Sequence, residues 1–270
     1  MSTPLDSLPP RAAVTWTRLR DELSDLLGNN LLALWAYGAR TFPNPPKSLG
    51  DHDSFAVLER IPDESTILRI STAQKDIEKD LDVSLDTSFV LRTDAVRPEP
   101  PSPAWGEGKE VNWPFHRAHF LAGTYVLLHG VRPEDLVPEP TWAELEHAME
   151  VELNHLERHV AAGDDDPYEA SYALLNGSRI FYSIQERNVV ISKRDAGSWA
   201  LDHLPPKWHA PIHAAGRAYD GESTDEDAKV LREAMAPFVE MLRRMWHDHR
   251  PRAGSGGASP LTNGQHGASD

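Results

Sequence analysis

The segment Val96–Gly108 carries Pro98, Pro100, Pro101, Pro103, Gly106 and Gly108. Proline lacks the amide hydrogen that helices and central strands need, so no regular element runs through such a stretch. It divides the chain into two parts with different patterns. Before it, strand and helix signals alternate. After it, no segment reads as a strand.

In the first part, Trp16, Leu19, Leu23, Leu26 and Leu27 fall on one stripe of a helix over 11–27, opened by Pro9-Pro10 and closed by Gly28-Asn29-Asn30. The apolar run Leu31–Tyr37 reads as a buried strand. A turn-rich stretch comes next, Pro43-Asn44-Pro45-Pro46-Lys47, and then a strand over 54–58, a helix over 64–79 and a strand over 85–91. This is a compact unit of helices and strands. In the second part, helical patterns run at about 115–129, 141–161, 167–186, 193–204, 206–219 and 225–247, broken at Gly130, Gly163 and Gly221. They predict a helical bundle. Residues 251–270 are mostly Gly, Ser, Asn and Pro and predict a disordered tail.

Composition excludes several classes. The chain has no cysteine, hence no disulfide and no thiolate metal site. Its first ten residues lack the basic and apolar regions of a secretory signal, and no run approaches the ~20 apolar residues of a membrane span. A cytoplasmic location and no membrane partner are the expectation. With 27 Lys and Arg against 42 Asp and Glu the formal charge is −15. No basic stripe is evident, which argues against a nucleic-acid partner. An acidic surface suits a cationic small substrate, and also serves solubility alone.

The segment with most chemical content is Tyr37-Gly38-Ala39-Arg40, a loop, then Gly50-Asp51-His52-Asp53 running into Ser54-Phe55-Ala56-Val57. Small residues after a strand let backbone amides approach a phosphate chain. Aspartates two apart on a strand share a face, so Asp51 and Asp53 can bind the same divalent cation. Asp86, at the start of the run Leu85–Leu91, is placed to add a third carboxylate. The same spacing recurs at Asp80/Asp82 and Asp164/Asp166, where solvated loop residues suffice, so the flanking turn and strand carry the weight.

The tract Gly177-Ser178-Arg179-Ile180-Phe181-Tyr182-Ser183 resembles the arginine-bearing helix of the streptomycin/spectinomycin-type aminoglycoside adenylyltransferases. Ile191-Ser192-Lys193-Arg194-Asp195-Ala196-Gly197-Ser198-Trp199-Ala200, Leu204-Pro205 and Ala215-Gly216-Arg217-Ala218-Tyr219 are similar to the segments downstream of that helix in the same family. Tyr37-Gly38 and Asp51-x-Asp53 resemble the family's nucleotidyltransferase head. The resemblance implies an α+β chain: a nucleotidyltransferase domain over 1–105 with a mixed sheet, then an all-helical domain over 106–250. It implies ATP as co-substrate and Mg²⁺ as cofactor. Asp51, Asp53 and Asp86 would be metal ligands, with Asp86 also the catalytic base. Gly38, Ala39, Arg179 and Lys193 would bind the nucleotide. Asp165 and Glu169 would contact a cationic acceptor, a small molecule bound by a monomer.

The chain departs from the family pattern in four places. Ala39 stands where the family has serine, Asp86 where it has glutamate, and the loop between Gly38 and Asp51 is slightly longer. The middle segment, which carries an aromatic drug contact in the family, is shortened, with Trp105 and Trp113 as candidates for that contact. Two other functions therefore stay open: transfer to a different small metabolite, or a catalytically weakened nucleotide-binding homologue. Glu144/His147 and Glu152/His155 have the Glu-x-x-His spacing of di-iron helices. Both lie on one helix, however, where a solvated surface is the simpler reading.

Overall fold

The computed structural model describes residues 3–47, 51–163 and 166–249; the tail 251–270 lies outside them. Helix α1 (Pro10–Leu27) starts with proline at its first position, where the missing amide costs nothing. It buries Trp16, Leu19, Leu23 and Leu27 and stops at Gly28, whose φ of +50° a side chain would resist. Strand β1 (Leu31–Ala36), β2 (Asp51–Leu58), α2 (Glu64–Leu81), β3 (Ser84–Leu91) and the short α3 (Arg92–Ala95) come after it. Next are α4 (Trp113–Leu121) and β4 (Val126–Gly130).

The four strands form one sheet in the order β3-β2-β1-β4. β2 and β3 are parallel, and β1 is antiparallel to both β2 and β4, so the sheet is mixed. Alternation along β1 sends Leu34 and Ala36 to the side covered by Trp16 and Leu19 of α1 and Ile70 and Ile77 of α2. Ala33 and Trp35 face the other side, with Phe55 of β2 and Trp113 and Phe120 of α4. The sheet is thus covered on both faces, which accounts for the unbroken apolar run in β1.

β4 corrects the sequence reading, in which 115–129 is a single helix. Gly123, at φ +84°, turns the chain after α4, and Val126 to Gly130 pair with β1. Five residues with alternating burial carry little local signal, and the long-range pairing with β1 decides the conformation. The sheet therefore takes an edge strand from beyond the proline-rich segment.

The remaining helices are α5 (Trp142–Ala162), α6 (Pro167–Glu186), α7 (Lys193–His203), α8 (His209–Tyr219) and α9 (Asp225–His249). They share a separate core built on Leu153, Leu174, Phe181, Ile212, Phe238 and Leu242. α6 is central and packs against α7, α8 and α9. Its Gly177 lets α9 come close, since a Cβ there would lie 2.4 Å from Leu242 Cδ1 and 2.7 Å from Phe238 Cε1. Arg117 of α4, fully buried, ion-pairs with Glu144 of α5 and donates to the Pro98 and Pro138 carbonyls at 3.1 and 3.3 Å. Glu144 also completes the capping box of α5 with Thr141, so the first Glu-x-x-His pair is structural. No helix among the described residues is long and apolar enough to cross a membrane.

Gly177→Val should destabilise the bundle by about 1–3 kcal/mol through overpacking against Phe238 and Leu242. Urea unfolding followed by circular dichroism measures it, and an unchanged midpoint would show that α6 and α9 do not meet closely at this glycine.

Candidate active site

Between the sheet and the bundle lies a cleft of about 770 Å³. On the sheet side, β1 runs out at Ala36 and the chain turns at Gly38, with φ +82° and ψ −164°. This conformation suits glycine, and space demands glycine as well, because a Cβ would sit 1.8 Å from Asp53 Oδ2. The Asp53 carboxylate is thereby held against the turn. Asp51 and Asp53 are two apart on β2 and share a face, and the parallel register sets Asp86 of β3 beside Asp53. Phe55 and Ser88 continue that face toward α4, and all three aspartates open into the cleft.

Crowded carboxylates in a partly buried site resist ionisation. Burial first, then the charges of Asp86 and Asp51, raise the Asp53 pKa to about 6. Burial also pushes Asp86 up, helped by Glu110 and Asp51. Carboxylates crowded in this way are the electrostatic mark of a cation site, although His116 and Lys193 offset part of the charge around Asp53. Among the described residues, no group of three or more His, Asp or Glu side chains is placed to hold a metal ion together. Mg²⁺ fits such a site, since it is held by one or two carboxylates and completes its shell with water and phosphate oxygens.

The bundle side carries the opposite charge. Arg179 projects from the buried helix α6, and Lys193 is the first residue of α7, whose cap is Ser192 accepting from the Asp195 amide. Among the described residues neither makes an ion pair. Lys193 Nζ lies 4.4 Å from the Tyr172 ring centre and 5.7 Å from that of Tyr219, a cation–π cage. Burial, with Arg179 nearby, lowers the Lys193 pKa to about 8. Arg179 donates to His119 Nε2 at 3.2 Å, while its buried Nε–H has no acceptor among the described residues. An unpaired guanidinium N–H beside a cleft points to an anionic ligand that would satisfy it.

Seven of the residues singled out in the sequence thus line one cleft: Gly38, Ala39, Asp51, Asp53, Asp86, Arg179 and Lys193. Glu169 does not line it. That side chain, in the first turn of α6, lies 3.4 Å from His159 Nδ1. Asp165 and Gly50 are outside the described residues. Neither tryptophan suggested as an aromatic contact reaches the cleft. Trp113 is buried against Phe55, and Trp105 packs on Phe89. Phe115 lines it instead.

Sequence reasoning passed over two carboxylates of the cleft. Glu110, from the segment before α4, accepts from Ser88 Oγ at 3.2 Å and contacts His116 Nε2 at 3.2 Å. His116 and Ser88 keep its pKa low although burial opposes them. Glu152 of α5, singled out only for its Glu-x-x-His spacing, accepts from Tyr172 Oη at 2.9 Å and Asn176 Nδ2 at 3.0 Å. Neither has a local motif. What marks Glu152 is its position on the face of α5 turned to Tyr172 and to Asn176, the residue three before Arg179.

Comparison with known proteins bears on the fold that carries this site. Residues 136–245 match the family described as aminoglycoside adenylyltransferase, C-terminal domain. No curated protein matches. Among solved structures the chain is similar to spectinomycin adenyltransferase AAD(9) from Enterococcus faecialis, a crystal structure with ATP and spectinomycin. The TM-score is 0.62 at 16% identity, over 84% of this chain and 98% of that one. At that identity the likeness is one of fold, and it spans both the sheet and the bundle.

In the metal-free protein, the Asp53 carboxyl followed by NMR should titrate near pH 6, and Asp86→Asn should lower that midpoint by removing a like charge. An ordinary midpoint near 4, unmoved by the substitution, would contradict the crowding of the two carboxylates.

Proposed function

We propose that this chain, whose residues 136–245 match the aminoglycoside adenylyltransferase C-terminal domain, is a nucleotidyltransferase that transfers AMP from ATP to a hydroxyl of an aminoglycoside or related aminocyclitol. The observation that carries the reading is the charge arrangement: two half-buried cations, without carboxylate ion-pair partners among the described residues, face three aspartates across one cleft. A triphosphate with a divalent cation has the charge pattern that fits between them.

Of the three aspartates assigned to the metal, Asp51 and Asp53 would hold Mg²⁺ directly, with Asp86 beside them, and the ion when bound would neutralise phosphate charge and align the reacting oxygens. The amides after Gly38, including that of Ala39, approach the phosphates, because no side chain at 38 intervenes. Arg179 and Lys193 bind the phosphate chain from the bundle side. Asp86 accepts the proton of the acceptor hydroxyl as its oxygen bonds to the α-phosphorus. The bond from that phosphorus to the bridging oxygen breaks, and pyrophosphate leaves with its charge balanced by Arg179 and Lys193. Glu110 and Glu152 add negative charge to the cleft, which suits an acceptor bearing amino groups.

A second reading is the same transfer to another small hydroxyl-bearing metabolite. It is favoured by the position of Glu169 outside the cleft and by Phe115 in place of an indole. Both readings require the same metal and phosphate residues and differ only in the acceptor.

Purified protein with ATP and Mg²⁺ should release pyrophosphate in the presence of streptomycin or spectinomycin, and Asp51→Ala should lower the rate at least about 100-fold. Release only with other acceptors would select the second reading, and full activity in Asp51→Ala would refute the metal assignment. The pH dependence is a further check. Lys193 loses its charge as pH rises through about 8, so ATP affinity should fall between about pH 7 and 9.5. Lys193→Arg should flatten that dependence, since arginine stays protonated throughout. An equally steep fall in the arginine variant would show that another group governs it.

A further inference from the structure

His119 is a buried residue of α4, in the sheet unit, yet its Nε2 accepts from Arg179 Nη2 of the bundle at 3.2 Å. A guanidinium only donates, so Nε2 carries no proton and the imidazole is neutral with its hydrogen on Nδ1. That nitrogen faces Thr124 Oγ1 at 3.2 Å, and Thr124 Oγ1 donates to the His119 carbonyl at 2.7 Å, which fixes the ring. Burial, followed by the charges of Arg179 and His116, holds the His119 pKa well below its ordinary value, although the Val189 carbonyl opposes this.

The same ring is tied to the turn that faces the phosphates. Phe42 meets it edge-on, with ring centres 5.6 Å apart. Thr41 Oγ1 lies 2.9 Å from the Gly38 carbonyl and 3.3 Å from the Thr124 carbonyl. One continuous set of contacts therefore links Gly38, Thr41, Thr124, His119 and Arg179. On the bundle side, among the described residues, the guanidinium has one long hydrogen bond of 3.5 Å, to Asn176 Oδ1. The firmer restraint on its direction comes from the opposite domain.

We propose that His119 is the positioning residue of the phosphate clamp: a neutral acceptor on the sheet unit that aims Arg179 into the cleft without neutralising it. A carboxylate in its place would orient the guanidinium equally well but would compete with phosphate for its charge. A neutral ring leaves the full positive charge for the ligand. The inference rests on the reading that Arg179 binds the phosphates of ATP.

The test is calorimetric binding of ATP and of adenosine, which lacks the phosphates, to the full chain and to His119→Gln, His119→Phe and His119→Asp. Glutamine keeps a neutral acceptor and should stay within about threefold of the parent for ATP. Phenylalanine removes the acceptor and aspartate pairs with the charge, so each should weaken ATP about 10-fold or more while leaving adenosine unchanged. His119→Phe combined with Arg179→Ala should bind ATP no worse than Arg179→Ala alone. If glutamine loses as much as phenylalanine, or aspartate binds as well as glutamine, the proposal is overturned, and the Gln/Asp comparison decides even if His119→Phe does not fold. ATP binding that Arg179→Ala leaves intact would instead refute the clamp itself, a failure distinct from that of His119.

Discussion

Half-burying a guanidinium and an ammonium without a carboxylate ion-paired to either is costly, and the bundle does both at Arg179 and Lys193. Stability alone would select apolar residues there, since α6 is otherwise packed on nearly every side. The cost is tolerable because the two cations face Asp51, Asp53 and Asp86 across an open cleft rather than lying in hydrocarbon. Attraction across such a gap is weak when the medium between the charges is aqueous, and this leaves both sets of charges available to a ligand. On the proposed reading, the cleft is a preorganised counter-charge for a metal–phosphate complex, assembled from separately packed cores.

Preorganisation of this kind depends on rigid supports. Asp53 cannot retreat, because Gly38 is packed against its carboxylate. Arg179 stands on the most buried helix of the bundle, which Gly177 allows to sit close to α9. Lys193 is placed by the Ser192 cap and by the rings of Tyr172 and Tyr219. The two units are held in register by contacts outside the cleft. Arg117 with Glu144 is one, and Lys47, bound to Asp220 and Glu222 beyond α8, is another. The same reach of Lys47 ties the loop before β2 to the end of the bundle.

Much of this was legible in the residues. The stripe of Trp16, Leu19 and Leu23 marked α1, and the apolar run at 31–37 marked a strand covered on both faces. The Asp51-x-Asp53 spacing is meaningful because β2 begins at Asp51 and holds both side chains on one face. Arg179 and Lys193 were found through resemblance, since nothing in their local sequence distinguishes a phosphate ligand from a surface charge. β4, Glu110 and the contact of His119 with Arg179 were not legible, for one shared reason. Each acquires its role only through pairing over long distances in sequence: β4 with β1, Glu110 with Ser88, His119 with Arg179. Local propensity carries no record of such partners.

A crystal structure with a non-hydrolysable ATP analogue and Mg²⁺ addresses the charge arrangement most directly. The triphosphate should span the cleft, touching Arg179 and Lys193 on one side, with the cation between its oxygens and the Asp51 and Asp53 carboxylates on the other. A nucleotide bound elsewhere, or seated in the cleft with its phosphates away from both cations, would contradict the assignment of these two walls to a single phosphate site.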